Sequence, residues 1–292
     1  MRNFHGEHKK KSYFEGWYFK HQGSGRTVAF IPAFHIDEKG ERSASLQVIT
    51  DDGAHNLPFP AGAFSADKDT LAVKLGNNLF SENGVRLSVD TEELSVEGMV
   101  SYGPLTPARP DIMGPFRFVP AMQCVHGVIS MRHDLRGSLT INGKRICFDG
   151  GTGYIESDRG SSFPQTYLWT QCNRFEGAEC AVFASCADIP PLHFDGCICE
   201  VLYGGREYRL ATYRGARVEE YSEKRLALRQ GEYHLEANLL QDNPHPLRAP
   251  QHGGMTGTIH ESAACTARYT FRHGQETLFD LTSGQASFEF VR

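Results

Sequence analysis

The sequence predicts an all-β protein, and three observations lead to this prediction. Glycine (30 residues) and proline (14 residues) are abundant in a chain of 292 residues. Short segments of Val, Phe, Tyr and Thr recur between turn dipeptides that accept positive φ, such as Asn83-Gly84, Asn142-Gly143 and Gly204-Gly205. Helical periodicity is weak and confined to Gln123 to Leu135. Strands at this spacing are typical of closed or nearly closed antiparallel barrels.

The predicted strands share a length of four to eight residues and an enrichment in β-branched and aromatic side chains. In chain order they are Thr27 to Phe34, Ser43 to Thr50, Thr70 to Leu75, Val85 to Val89, Leu94 to Val100, Gly137 to Ile141, Arg145 to Phe148, Ala181 to Cys186, Cys197 to Tyr203, Tyr208 to Tyr213 and Arg268 to Phe271. We interpret Asn243 to Pro250, which holds three prolines, as an exposed loop.

Charge and hydropathy exclude several kinds of partner. The net charge is −5 and no basic stripe alternates with aromatic residues, so we expect no nucleic-acid binding. The run Lys9-Lys10-Lys11 favours a solvated segment over a membrane anchor, which usually needs more than three charges. No stretch of about eighteen apolar residues and no apolar leader is present, which predicts a soluble, cytoplasmic protein.

The eight cysteines lie mostly inside apolar segments, so we expect reduced core thiols rather than disulfides. Cys197 and Cys199 would share a strand face, but no paired CxxC supports a zinc site, and we expect no metal. No GxSxG, GxxxxGK[ST] or strand-linked GxGxxG is present. We therefore expect no cofactor and a chemistry that needs only acid, base and shape.

Chemically active residues are concentrated in Gly153 to Pro164 and Tyr167 to Asn173. In an extended strand Tyr154, Glu156 and Asp158 share one face, and the following strand presents its own mixed face of aromatic and amide side chains. Such faces suit a barrel interior or cleft that holds an apolar ligand. The alternative is an ordinary core in which both carboxylates accept hydrogen bonds from the turn.

Together with Tyr13 to Lys20, Met122, His126-Gly127 and Ser130-Met131, this segment resembles the tocopherol cyclase family and its bacterial relatives. The motifs occur in one order between positions 13 and 175. The resemblance implies two lipocalin-like antiparallel β-barrel domains packed together. Asp149-Gly150-Gly151 is consistent with a boundary, which predicts domains at 1–150 and 151–292.

The resemblance also implies a reaction. An acid protonates a trisubstituted alkene, a tertiary carbocation develops, and a neighbouring phenol oxygen closes a ring without a cofactor. This chemistry needs a carboxylic acid, aromatic faces toward the cation and exclusion of water. Our first candidate for the acid is Asp158, then Glu156, then Glu15. Pairing of the first two with Arg159 or Arg132 would make them structural instead.

The resemblance predicts that the ligand is a hydrophobic small molecule. The residues expected to line its cavity are Trp17, Tyr154, Phe163 and Trp169, and those expected to orient its head group or the acid are His126, Gln171 and Asn173. Many relatives have Trp where this chain has Arg159. An inward Arg159 would favour an ionised Asp158 and an anionic ligand head, and an outward one would change little.

Two other classes of function stay open from the sequence. One is a non-catalytic lipocalin-like binder with the same aromatic lining and no poised acid. The other is a hydratase-type lyase that adds water to an isoprenoid alkene through the same cation. The loop Pro190 to Gly196 resembles a family loop over the cavity, with His193 and Asp195 as polar contacts, although a surface loop ordered by its prolines is the preferred interpretation.

Overall fold

The computed structural model describes residues 4–119, 122–189 and 194–292. These residues form β-strands joined by turns and loops, and no α-helix occurs among them. The strands up to residue 160 are β1 (Tyr13–Gly23), β2 (Arg26–Ile36), β3 (Arg42–Thr50), β4 (Gly53–Pro60), β5 (Phe64–Ala66), β6 (Ala72–Leu75), β7 (Asn78–Ser81), β8 (Gly84–Asp90), β9 (Ser95–Tyr102), β10 (Cys124–Ile141), β11 (Lys144–Cys147) and β12 (Gly151–Gly160).

The remaining strands follow from residue 167 onward. They are β13 (Tyr167–Cys172), β14 (Cys180–Ile189), β15 (Phe194–Tyr203), β16 (Arg206–Ala211), β17 (Arg217–Ser222), β18 (Arg225–Gln230), β19 (Tyr233–Gln241), β20 (His245–Gln251), β21 (Gly254–His273) and β22 (Glu276–Val291). Short 3-10 turns span Ala61–Ala63, Gly114–Phe118 and Thr212–Arg214. The predicted all-β class is therefore confirmed.

The first sheet has the strand order β4-β3-β2-β1-β12-β10-β9-β8-β7-β6-β5, with β11 paired to β10. All its described pairings are antiparallel, and β12 lies between β1 and β10. One face of the sheet packs into a core that includes Trp17, Phe19, Phe30 and Ile155. Since side chains alternate along a strand, the residues between these positions lie on the opposite face.

The second sheet has the order β16-β15-β14-β13-β22-β21-β19-β18-β17, with β20 paired to β21. Its own core includes Leu168, Cys199, Phe271 and Phe288. Two antiparallel sheets with separate cores agree with the prediction of two lipocalin-like β domains.

The chain divides into two compact units. The first consists of Met1–Pro107, Cys124–Phe163 and Leu247–Thr258, and the second of Ala108–Gln123, Pro164–Pro246 and Ile259–Arg292. This division differs from the predicted boundary at residue 150. The reason is that β12 pairs on both sides within the first sheet, so the chain leaves that sheet only after β12 ends.

Two local predictions were wrong. The weak helical pattern between Gln123 and Leu135 belongs to β10, whose backbone pairs with strands on both sides. Tertiary pairing here overrides the local pattern. The segment predicted as an exposed loop over Asn243 to Pro250 overlaps β20, which pairs only with β21 among the described strands. Proline is tolerated in such an edge strand because its missing N–H is not needed on the open side.

Two expectations from composition can be compared with the structure. All eight cysteines carry free thiols, and six of them are buried. Within the described ranges, no helix has the length and apolar character needed to cross a bilayer. The cytoplasmic location stays a prediction.

Candidate active site

A group of polar side chains lies on the face of the first sheet that is opposite to its core. Along β12, Ile155 points into the core, so Tyr154, Glu156 and Asp158 point to the other side. The structure thus places these three predicted site residues on one face. Tyr154 and Glu156 are buried, and Asp158 is partly open.

The pairing of β12 with β10 brings His126 next to the carboxylates. His126 is opposite Asp158 in the antiparallel register. Its Nδ1 atom lies 2.9 Å from Asp158 Oδ1, and its Nε2 atom lies 3.4 Å from Glu156 Oε2. The imidazole therefore contacts both candidate acids at once.

Two neutral donors complete the group. The Tyr154 hydroxyl donates to Glu156 Oε2 at 2.5 Å, and the Cys124 thiol donates to Asp158 Oδ1 at 3.2 Å. Burial, and next the charge of the adjacent carboxylate, raise the pKa of each donor well above its ordinary value. Both donors therefore keep their protons near neutral pH. We call Cys124, His126, Tyr154, Glu156 and Asp158 the acid cluster.

His126 carries the positive charge of the acid cluster. Burial disfavours the imidazolium ion, but the charges of Asp158 and Glu156 and their hydrogen bonds outweigh that cost. The net result is a pKa raised from 6.5 to about 10. The site therefore stores a proton at neutral pH between two carboxylates.

Small residues lie beside Asp158 on this face. Gly16 of β1 is opposite Asp158, and Ala33 of β2 is opposite Gly16. A Cβ atom at Gly16 would come within 3.2 Å of the Ala33 Cβ. The side chains beside Asp158 in this row across the strands are therefore short, and their backbones are close together. The Asp158 side chain is 23% exposed, whereas that of Glu156 is 7% exposed. Asp158 is therefore the carboxylate of this pair that is more open to a ligand.

Aromatic and backbone groups border the row. Phe14, two residues from Gly16 on the same face, contacts Phe163 edge to face with ring centroids 5.4 Å apart. The backbone N–H of Phe163 donates to the Pro250 carbonyl of β20. Farther along the face, Gln47 of β3 exchanges two hydrogen bonds with the backbone of Arg248. The segment from Arg248 to Pro250, which itself belongs to the first unit, is thereby fixed against this face.

Glu15 and Trp17 do not join the acid cluster. Both have the opposite parity in β1 and lie on the core side, where Trp17 packs against Phe64. Glu15 accepts hydrogen bonds from the Tyr13 hydroxyl at 2.7 Å and from the backbone N–H of His5 at 2.9 Å. These contacts indicate a structural carboxylate that fastens the N-terminal segment.

Arg159 is also on the far side from Asp158. Its register partner in β1 is Glu15, whereas that of Asp158 is Gly16. Of the two orientations considered from the sequence, Arg159 has the one in which its side chain points away from the face that carries Asp158. The charged partner of Asp158 and Glu156 described above is His126 instead.

Three predicted site residues lie in the second unit. Trp169, Gln171 and Asn173 are buried at β13 and just after it, away from the Leu168 side of the strand. Gln171 Nε2 donates to Asn173 Oδ1 at 3.0 Å. Trp169 is opposite Glu289 of β22 in the register. Their roles toward a ligand stay predictions.

The loop that resembles a family loop is described only in part. His193 lies outside the described residues. Asp195 is the second residue of β15 and accepts a hydrogen bond from the Tyr221 hydroxyl at 2.9 Å. This contact ties Asp195 into the second unit.

Sequence reasoning missed Tyr18, Lys20 and Cys124. Tyr18 is opposite Glu156 and Lys20 is opposite Tyr154 in the β1–β12 ladder, and both are buried. The sequence feature that could have identified Tyr18 and Lys20 is their spacing of two and four residues from Gly16 in β1, which places all three on one face. Cys124 was counted among the core thiols because nothing in the sequence showed that it would meet Asp158.

The acid cluster also has the donor set of a divalent metal site. One ligand atom from each of His126, Glu156 and Asp158 lies within 4.8 Å of the others. One imidazole nitrogen and two carboxylate oxygens suit zinc or manganese. In the geometry described, however, the two carboxylates flank the imidazole, an arrangement that a proton on His126 satisfies.

Comparisons with known proteins agree with this architecture. The family model described as tocopherol cyclase-like matches residues 93–290. Kievitone hydratase from Nectria haematococca has a similar solved structure, with a TM-score of 0.53, 12% identity and coverage of 99% of this chain and 93% of that one. A protein described as AttH from Nitrosomonas europaea has a TM-score of 0.52 at 13% identity and covers 94% and 92%, respectively. No curated protein matches the chain by sequence. At these identities, the structural likeness concerns the fold alone.

Proposed function

Because the chain belongs to the tocopherol cyclase-like family, we propose that it catalyses the cofactor-independent, acid-promoted cyclisation of a prenylated phenol, a prenylated quinol or a similar isoprenoid. The ligand is a hydrophobic small molecule with a trisubstituted alkene near a phenolic hydroxyl. The observation that supports this proposal most directly is the acid cluster. In it a protonated histidine contacts a partly exposed carboxylate, and the residues beside that carboxylate, Gly16 and Ala33, are small.

Asp158 is the proposed proton donor. Protonation of an alkene requires a strong acid, and at ordinary pKa values an aspartic acid is stronger than an imidazolium ion by roughly 2.6 pKa units. The stored proton rests on His126, and the hydrogen bond between His126 Nδ1 and Asp158 Oδ1 gives it a direct path to the carboxylate. When Asp158 gives this proton to the alkene, the carboxylate left behind keeps the hydrogen bond from the Cys124 thiol. The proton that the phenol loses on ring closure then returns to the His126–Asp158 pair.

Glu156 has a positioning role in this proposal. It accepts from the Tyr154 hydroxyl and faces His126 Nε2, so it fixes the imidazole ring from the side away from Asp158. Its anionic charge also favours the protonated ring that reloads Asp158. Phe14 and Phe163 offer aromatic faces on the same side of the sheet, which suit a developing carbocation.

A hydratase-type reaction is the second candidate, and the structural neighbour named kievitone hydratase favours it. The first step would be the same protonation by Asp158. Water instead of the substrate's own phenol oxygen would then capture the cation. The two reactions differ in product mass, because cyclisation gives an isomer and hydration adds one water.

The test is turnover of a panel of prenylated quinols in D₂O, followed by mass spectrometry. We expect an isomeric product that carries one non-exchangeable deuterium from the enzymic acid. Asp158→Asn should abolish turnover, and Glu156→Gln should lower it. Asp134→Asn, an exposed position of the same strand as His126, should leave it unchanged.

Each other outcome has a defined meaning. A product heavier by one water would assign the hydratase reaction. Binding of the panel without any turnover by the wild-type protein would overturn the enzymic proposal in favour of a lipocalin-like binder. Full activity in both Asp158→Asn and Glu156→Gln would show that the acid is elsewhere.

A further inference from the structure

Two cysteines of the second unit face each other across the ladder between β14 and β15. Cys186 is opposite Cys197 in the antiparallel register, and both are buried, at 1% and 2% exposure. The backbone N–H of Cys197 donates to Thr212 Oγ1 at 2.8 Å, on the side of β15 that adjoins β16. Cys197 therefore does not give its N–H to β14.

This direction of the N–H group identifies the kind of pair. In an antiparallel ladder, opposite residues alternate between hydrogen-bonded and non-hydrogen-bonded pairs, and in the second kind the Cα atoms are only about 4.5 Å apart. Cys186 and Cys197 form a pair of the second kind. That separation lies inside the range of roughly 4.4 to 6.8 Å that a disulfide spans.

The two sulfurs have different surroundings. The Cys186 thiol donates a hydrogen bond to Cys197, which is the main cause of a lowered pKa at Cys197. The Thr212 hydroxyl also donates to Cys197 Sγ, at 3.5 Å. Burial, in contrast, raises the pKa of Cys186. Cys197 is thus the better thiolate of the pair, and Cys186 holds the proton.

The pair is close to the end of its ladder. The last described pair of β14 and β15 is Ile189 with Phe194, three positions beyond Cys186 and Cys197. Strand ends open locally at low free-energy cost, which admits small reagents to buried thiols. The pair lies in the second unit, whereas the acid cluster belongs to the first.

We propose that Cys186 and Cys197 form a redox-active dithiol that reduces small hydroperoxides and closes into a cross-strand disulfide. The Cys197 thiolate attacks the terminal peroxide oxygen, the O–O bond breaks, and an alcohol, or water from hydrogen peroxide, leaves. Cys197 becomes a sulfenic acid. The Cys186 sulfur then attacks that sulfur, the S–O bond breaks, and the hydroxide leaves as water with the Cys186 proton. Two thiols are oxidised and one peroxide is reduced.

The experiment treats the folded, full-length protein with a small excess of hydrogen peroxide and alkylates the remaining thiols after unfolding. Cleavage at Arg174, Asp188 and Asp195 separates the two halves of the pair. We expect two alkylated thiols fewer per chain. We also expect a disulfide-linked pair of peptides that a dithiol reductant separates. The Cys180→Ala/Cys199→Ala variant leaves one cysteine in each of the two peptides, and we expect the link to persist in it.

A second measurement tests the order of attack. In Cys186→Ser the sulfenic acid at Cys197 should persist and react with dimedone, whereas Cys197→Ser should give no adduct at Cys186. The proposal is overturned if the wild-type protein keeps both thiols after peroxide treatment, or if the link is lost in Cys180→Ala/Cys199→Ala. Dimedone labelling of Cys186 instead of Cys197 would overturn the assigned roles. The wild-type mapping decides the main point even if a variant fails to fold.

Discussion

The charge on His126 makes a quantitative prediction about stability at high pH. The pKa of this histidine is raised from 6.5 to about 10, because the charges of Asp158 and Glu156 outweigh the effect of burial. A raised pKa stabilises the folded state fully below the unfolded value of about 6.5. That contribution is lost as the pH rises through the folded value. The sensitive interval is therefore pH 7 to 10.

The magnitude follows from linkage. Each pH unit of separation is worth about 1.4 kcal/mol, and the folded and unfolded pKa values differ by roughly 3.5 units, which gives an upper figure of about 5 kcal/mol. Part of this is already lost at pH 7. We expect the free energy of unfolding to fall by about 3.5 kcal/mol between pH 7 and 10 on account of His126 alone.

The assay is urea-induced unfolding over this pH interval for the wild type, His126→Gln and the exposed control His260→Gln. Other groups titrate in the same range, so the informative quantity is the difference between variants. The wild type and His260→Gln should share one slope, and His126→Gln should have a shallower one. NMR of histidine labelled at Cε1 reports the pKa directly. The ion-pair reasoning is refuted if the resonance missing in His126→Gln titrates at or below 6.5 in the wild type.

Two further predictions concern stability in acid and the shape of the site. Burial lowers the pKa of His21 to about 4 and that of His133 to about 3, so the stability held above pH 6.5 is lost as the pH falls toward these values. Unfolding at pH 7 and pH 5 should differ by about 2 kcal/mol for each histidine, and an undiminished difference in His133→Asn would contradict this account. Gly16→Val should fill the space beside Asp158 and weaken binding of a prenylated quinol more than tenfold, as measured by fluorescence titration. Gly62→Val, with no atoms near its Cβ position, should bind normally, and equal affinities in both variants would argue against a ligand at this face.

The sequence was sufficient for the fold class because alternation and turn chemistry are local properties. β2, β3, β8 and β9 were predicted nearly to their ends, since each holds apolar and β-branched residues and has a Gly-containing turn at one end or both. The pairing of β1 with β12 was not predictable, because its partners are far apart in the chain. That pairing depends on burial of a whole sheet face rather than on any local pattern.

The candidate site shows the same division. Parity along one strand was enough to place Tyr154, Glu156 and Asp158 on one face. The neighbours of these residues come from other strands, and only the register shows that His126 meets Asp158 whereas Glu15 does not. Cys124 had no distinguishing signal in the sequence. A thiol in an apolar segment looks the same whether it packs in a core or donates to a carboxylate.

The alternation along β12 limits how the lengths of related proteins can vary. Insertion of one residue within this strand would exchange its two faces and bring Ile155 and Arg159 to the side where Glu156 and Asp158 lie. Relatives that keep the acid cluster should therefore gain and lose residues only in connections, such as Asp67 to Thr70, which lies outside the described strands. A β12 strand of constant length, together with turns of variable length, would then identify the family members that preserve the site.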